Sequence, residues 1–388
     1  MAIPAPEASP PGQHSATPAA RLIPLDALRA VAVLLVMGRH LHVPASLPQD
    51  SVLRAVGEAW VRGGWIGVDL FFVLSGFLVS GLLFREHQQH GRILVGRFLL
   101  RRGLKIYPAF YFFLAVTVAL QVSWGRPPDT WRVLSEVFFV QNYLGGVWSH
   151  TWSLAVEEHF YFAIPFLLLL LDRRAPSGHR PFRALPWITA VLAIGLLAAR
   201  TVNGLTRPYH HGTHLFPTHL RIDGLMLGVL LSWAYHYHAE TLRSLLHRRR
   251  ALLAAAGVLL LTPAFLWPVE TTFAIPTIGL TAFAVGSACL MGAGLAAPAS
   301  WQERLRPLAR MGAYSYSIYL WHWPMLAWAV PAIERAIGAP LPFLARVILY
   351  VTLTIVFGVG IARLVELRVL RLRDRWFPSR SRSLAPAT

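Results

Sequence analysis

Residues 25–43 read LDALRAVAVLLVMGRHLHV, and this stretch decides the class of protein. It is apolar enough to enter a bilayer, yet it contains Arg29 and His40. The two lie eleven positions apart, close to three helical turns, so both side chains leave one face roughly 16 Å apart along the axis. A charged group at such depth costs about 2.5–3.5 kcal/mol or more and normally faces a protein interior or a wet cavity. A lipid-facing anchor needs neither residue. The pair is read as part of a site inside a helical membrane bundle.

The whole chain supports that class. Of 388 residues, 55% are hydrophobic and only 14% charged, too few charges for an ordinary soluble surface. Several apolar runs approach the roughly 20 residues that cross the hydrocarbon as helix. The expected fold is all-α: a polytopic membrane protein with about ten transmembrane helices and both termini cytoplasmic. The spans fall near 25–43, 66–84, 107–124, 152–171, 185–199, 222–237, 251–269, 273–297, 313–330 and 341–364. Residues 133–147 carry Glu136, Gln141 and Asn142 and are read as interfacial or re-entrant.

Basic residues gather at Arg85–Lys105, Arg173–Arg183, Arg243–Arg250, Arg304–Arg310 and the C-terminal tail, which this topology places inside. Residues 1–20, rich in Pro, Ala and Ser, read as a disordered cytoplasmic tail. Residues 21–366 form the membrane domain and 367–388 a basic cytoplasmic tail. The chemistry is expected within the membrane domain, with no appended soluble catalytic domain, in a multi-pass protein of the cell (inner or plasma) membrane.

The net charge of +18 is spread over the loops of one membrane face. Orientation and attraction to anionic membrane lipids account for it, and nucleic acid is not an expected partner. The single Cys289 excludes a disulfide framework and a Cys-based metal site. His210, His211, His214 and His219 cluster near Pro208 and Pro217, which favours a surface loop over a zinc site, so no metal is expected.

Four motifs carry chemistry. Asp26 and Arg29, three apart on a helix, suit a local ion pair, while His40 suits a general base. In Gly67-Val68-Asp69-Leu70-Phe71-Phe72, continuing to Ser75-Gly76-Phe77, Gly67, Ser75 and Gly76 suit close helix approach. Asp69 there has two readings: partner to a cation on a neighbouring helix, or orienter of His40. Arg97, Arg101 and Lys105 recur at fourfold spacing with Arg102 adjacent, a cluster suited to polyphosphate. The run from Trp148 to Tyr161 contains Trp152-Ser153-Leu154 and then Glu157-Glu158. Two adjacent acids cannot share one helical face, and Glu157 is taken as the one facing the cavity. Arg221 and Asp223 suit an ion pair at the mouth of the sixth span, and His322 is a candidate cavity residue.

With these residues in place, the sequence resembles the acyltransferase-3 family of integral-membrane acyltransferases. The resemblance rests on the Arg29/His40 spacing, the Gly67–Phe77 motif, Arg101-Arg102-Gly103-Leu104-Lys105-Ile106-Tyr107-Pro108, the Trp152–Glu158 segment and Tyr316-Ser317-Ile318-Tyr319-Leu320-Trp321-His322. It implies ten membrane helices and transfer of an acyl group, commonly acetyl from acetyl-CoA, to a hydroxyl. Typical acceptors are surface glycans, glycolipids and macrolide-like metabolites. The family's helix-one Arg and His match Arg29 and His40, and its basic pair matches Arg102 and Lys105. Lys105 replaces the usual second Arg, keeping the charge but losing the bidentate fork.

The expected site therefore has His40, Glu157 and Asp69 as catalytic residues. Arg29, Arg101, Arg102 and Lys105 bind acyl-CoA, a co-substrate rather than a tightly held cofactor. The competing reading is a transporter or flippase of a lipid-linked or small polar molecule; no paired broken helices or inverted repeat is evident to support it.

Overall fold

In a bilayer, a continuous apolar run satisfies its backbone N–H and C=O groups within itself only as a helix. The computed structural model describes residues 22–175 and 181–378, and every regular element among them is helical. In chain order these are α1 (Ile23–Arg39), α2 (Val52–Gly63), α3 (Gly67–His90), α4 (Val95–Ser123), α5 (Thr130–Val137) and α6 (Gln141–Leu144). There follow α7 (Trp152–Arg173), α8 (Leu185–Thr206), α9 (His211–His214), α10 (Ile222–Tyr237), α11 (Ala239–Leu261) and α12 (Pro263–Leu266). The last six are α13 (Leu280–Leu295), α14 (Ala299–Gly312), α15 (Ser315–Pro324), α16 (Val330–Ile337), α17 (Phe343–Ile361) and α18 (Leu367–Trp376). Wide turns of π type at Met325–Ala329 and Ala362–Glu366 join α15 to α16 and α17 to α18.

Seven helical segments among the described residues are long and apolar enough to cross a membrane: Val52–His90, Val95–Ser123, Ser149–Arg173, Leu185–Thr206, Ala239–Leu266, Ile275–Leu295 and Phe343–Trp376. The remaining expected spans, 25–43, 222–237 and 313–330, are helical but lie outside this set. α1 has 17 residues, α10 has 16, and α15 gives way to a wide turn after ten. Burial supplies a reason. Ala30, Ala32, Val33 and Met37 of α1 and Ile318, Leu320 and His322 of α15 are fully enclosed. Helices surrounded by protein need no long lipid-facing surface. α5 and α6 have 8 and 4 residues, far short of a crossing, and Glu136, Gln141 and Asn142 are buried.

α4 and α11 begin at Val95 and Ala239, well before the apolar runs expected at 107 and 251. Arg, Leu and Ala are strong helix formers, so the helix continues beyond its apolar stretch. Arg97, Arg101 and Arg102 thus stand on α4 rather than in a loop. α18 packs beside α4, and Arg101 pairs with Asp374 at 3.1 Å. The sequence segment 1–20 lies outside the described residues, as does the tail beyond 378.

α1 runs through the middle of the bundle against α3, α13, α14 and α15. α3 lies along α10 at very close range. A Cβ on Gly76 would stand 1.9 Å from the Leu225 carbonyl oxygen, and one on Gly228 2.2 Å from that of Val73. Only glycine permits this backbone approach.

Candidate functional site

The structure brings most of the singled-out residues to two neighbouring cavities. The first, about 90 Å³, is lined by Arg29 from α1, Arg102 and Lys105 from α4, and Glu157, Glu158 and Tyr161 from α7. Arg29 is anchored by Asp26, Nη1 to Oδ1 at 3.0 Å, as the three-residue spacing predicts. The Arg102 guanidinium sits 4.0 Å over the Tyr161 ring, and its buried Nε has no partner. The Tyr161 hydroxyl donates to Glu157 Oε2 at 2.6 Å and meets the Ser75 hydroxyl on its other side. Tyr107 donates to Glu158 Oε2 at 3.0 Å. Both acids of the Glu157-Glu158 pair line this cavity. α7 directs one toward Tyr161 and the other toward Tyr107.

This cavity therefore holds three cations and two carboxylates that already serve tyrosine hydroxyls. Glu366, from the wide turn after α17, adds its field to Lys105 and accepts from the Ser317 hydroxyl at 3.0 Å. Arg101 lines neither cavity; its partner is Asp374.

The second cavity is larger, about 480 Å³, and holds His40. His40 ends α1, its backbone still helical. Its ring lies 4.0 Å from that of Trp323 and 5.1 Å from that of His322. His150 completes a cluster of three imidazoles, its ring 4.7 Å from His322.

Local chemistry fixes two of these rings. Pro324 has no N–H, so the Leu320 carbonyl loses its helical partner; His150 Nε2 donates to that carbonyl at 3.1 Å instead. His322 Nδ1 donates to the Tyr319 carbonyl at 2.5 Å. A neutral imidazole has one N–H, so each bond leaves the opposite nitrogen as a bare acceptor. His150 Nδ1 and His322 Nε2 are indeed buried without a hydrogen-bond partner.

The rest of the lining is aromatic and cationic. Trp65, Trp152, Phe216 and Trp323 contribute flat faces, and Arg39 and Arg221 contribute charge. Arg39 is engaged by Glu270 at 2.7 Å. Arg221 Nη2 donates to Asp69 Oδ1 at 3.0 Å, while its Nε and Nη1 are buried and unpaired. Asp69 thus meets a cation from a neighbouring element, the first of its two readings. Among the described residues no hydrogen bond joins Asp69 or Glu157 to His40. Arg221 and Asp223 do not pair with each other; Asp223 takes Arg200 at 2.7 Å. The two ion pairs cross between helices and pin the start of α10.

The loop carrying His150 has its own anchor. Glu136 Oε1 accepts from the Trp148 N–H at 3.1 Å and from the Thr151 hydroxyl at 2.8 Å, bracketing His150. Burial pushes the Glu136 carboxyl up to about 7. In the histidine-rich loop, His210 Nδ1 accepts from the Gly212 N–H at 3.1 Å, and both His210 and His211 reach the cavity edge.

The two cavities share Val68 and Tyr319 as lining residues. Sequence reasoning passed over Tyr319, Tyr161 and His150 as members of aromatic or polar runs. The proline four residues after Leu320 was a usable signal, because it frees a carbonyl that something must satisfy.

Comparison with known proteins identifies the family. The chain is 26% identical over 366 residues to the peptidoglycan O-acetyltransferase OatA of Listeria monocytogenes, covering 88% of this chain and 54% of that protein. It is 26% identical over 332 residues to the O-acetyltransferase OatA of Staphylococcus aureus, covering 78% and 50%. The chain thus spans about half the length of these curated relatives. No solved structure matches it. The family model described as an acyltransferase domain matches residues 23–363, nearly everything between the two tails, and the chain belongs to the acyltransferase-3 family.

Proposed function

We propose that this protein is a multi-pass O-acetyltransferase of the cell membrane. It carries an acyl group, commonly acetyl, from acyl-CoA at the cytoplasmic face to a hydroxyl of a glycan, glycolipid or macrolide-like acceptor on the outer side. The names of its relatives favour a peptidoglycan sugar as the acceptor. In this reading α1, α10 and α15 cross the membrane together with the seven long helices, giving ten spans and cytoplasmic termini. The observation that carries it is the meeting of the Arg29–Arg102–Lys105 cavity and the His40 cavity at Val68 and Tyr319.

Arg102 and Lys105, with Arg29 beside them, hold donor phosphates, and Arg101 serves from the outer face of α4. Guanidinium forks grip phosphate oxygens and the ammonium adds a point charge. The pantetheine arm runs toward the shared boundary and presents the thioester to the second cavity. There His40 removes the acceptor's proton as its oxygen attacks the acyl carbon. The C–S bond breaks, and the CoA thiolate takes the proton from His40. Direct transfer requires both substrates together, which neighbouring cavities provide.

Glu157 acts through Tyr161, holding the ring on which Arg102 rests. Asp69 acts through Arg221, whose free N–H groups face the acceptor. The aromatic faces around His40 suit the apolar face of a sugar ring.

The test uses purified full-length protein in lipid vesicles with acetyl-CoA and solubilised peptidoglycan fragments. Thioester consumption coupled to acetylated fragments is expected, and His40→Ala should lower turnover by about 10²–10⁴-fold. Intact transfer in that variant removes His40 as the base. Movement of a lipid-linked sugar across the vesicle with no thioester consumed would favour the transporter reading.

A further inference from the structure

We infer that Val68 and Tyr319 form a rigid neck between the two cavities and set the length of acyl chain the protein transfers. The inference rests on the donor and acceptor assignment above and adds a specificity determinant to it. Both residues line both cavities and so stand at the boundary a group must cross in passing from one to the other. The acyl carbon must reach an oxygen held by His40 while the CoA remains in the cationic cavity. The alkyl tail of the acyl group therefore lies at the neck during attack.

Neither side of the neck gives way easily. The Tyr319 hydroxyl donates to the His150 carbonyl at 2.6 Å and accepts from the Ser153 hydroxyl at 2.6 Å. The ring is buried, with the edge of Phe71 against it at 6.0 Å between centroids. Swinging it aside would break two buried hydrogen bonds and strand their partners. Val68 is also buried, in the first turn of α3. The preceding Gly67 lies so close to α1 that a Cβ there would stand 2.2 Å from the Ala32 carbonyl oxygen. The backbone behind Val68 therefore has little room to retreat.

A neck fixed on both sides selects by size. Beyond the neck the His40 cavity is roomier, so the restriction on the tail is set at the neck itself. A methyl group passes; each further methylene must displace the Val68 side chain or the Tyr319 ring. Differences of one methylene in a tight apolar slot change selectivity by about 10–200-fold.

The transfer reaction is unchanged in every variant: the acceptor oxygen bonds to the acyl carbon, the C–S bond breaks, and the proton passes through His40 to the thiolate. The experiment compares kcat/KM for acetyl-CoA and butyryl-CoA in vesicle-reconstituted protein with solubilised peptidoglycan fragments. In Val68→Ala the preference for acetyl should fall by about tenfold, through faster butyryl transfer. Val68→Ile should sharpen the preference while retaining acetyl transfer, and it covers the case in which the alanine variant fails to fold. An unchanged ratio in either active variant overturns the inference while leaving the donor and acceptor assignment intact. Loss of all transfer in both variants, with each still monodisperse, also overturns it, since a size-selecting wall is not needed for chemistry. Wild-type protein that consumes neither thioester would remove the parent assignment, and this inference with it.

Discussion

The two cavities are built on opposite principles. The one around Arg102 is narrow and charged, with three cations set among carboxylates that tyrosine hydroxyls already occupy. The one around His40 is five times roomier, walled by aromatic rings, with imidazoles fixed by backbone carbonyls. The first suits a ligand with fixed negative charge. The second suits a neutral, hydroxyl-bearing ligand and a proton transfer. Under the proposed function, placing them side by side would divide donor binding from chemistry without separating the reacting atoms.

The largest expected effects test that division directly. Arg102→Ala should raise the KM for acetyl-CoA by about tenfold to a hundredfold, the worth of charged hydrogen bonds of about 1.5–3 kcal/mol. The acceptor KM should move much less, whereas His40→Ala should act mainly on kcat. Titrating each substrate separately in steady-state assays checks this, and a reversed pattern would exchange the roles of the two cavities.

Stability should separate two ion pairs of different burial. Asp69–Arg221 is nearly inaccessible, with side chains 5% and 2% exposed, and Asp69→Asn leaves a buried cation short of a counter-charge. A loss of about 3–5 kcal/mol is expected. Asp26–Arg29 is partly exposed, and Asp26→Asn should cost no more than about 1 kcal/mol. Thermal unfolding in detergent ranks the two; equal losses would mean that Arg221 finds its support elsewhere.

A smaller effect is expected at Pro324. Pro324→Ala returns an N–H to the helix, and the Leu320 carbonyl then has a competitor for His150 Nε2. Turnover should fall by about fivefold, near the 1 kcal/mol worth of one hydrogen bond, with the acetyl-CoA KM unchanged. A variant with wild-type kcat would show that His150 orientation does not depend on this bond.

The smallest is a pH effect at Glu136. Its folded carboxyl titrates near 7, above the ordinary glutamate value. Between the two values the unfolded chain releases the proton and the folded chain keeps it, so this group makes stability fall as pH rises toward 7. Glu136→Gln retains an acceptor for Trp148 and Thr151 and should flatten that slope. Unfolding midpoints at pH 5, 6 and 7 measure it, and identical slopes in both proteins would count against the shift.

How far the sequence reached follows the same division. Arg29 and Glu157 stood out because charge is anomalous in an apolar helix, Arg102 and Lys105 because basic residues cluster there at helical spacing, and the fold brings all four to one cavity. His40 stood out for the same reason as Arg29. The His40 cavity was much less legible. Trp152, Phe216, His150 and Tyr319 are ordinary members of aromatic and polar runs, and what they line depends on helices far apart in the chain. Asp69 was visible as a buried acid, but its partner Arg221 lies 152 positions away and no local spacing announces it.

The sequence by itself determined the helical membrane class, the acyltransferase-3 resemblance and the charged half of the site. Burying a charge is costly enough to leave a mark wherever it occurs. Helix limits, the pairing of Arg221 with Asp69 and the boundary at Val68 and Tyr319 were decided only by tertiary structure. These depend on how close two helices come, which small residues such as Gly67 and Gly76 permit without specifying the partner.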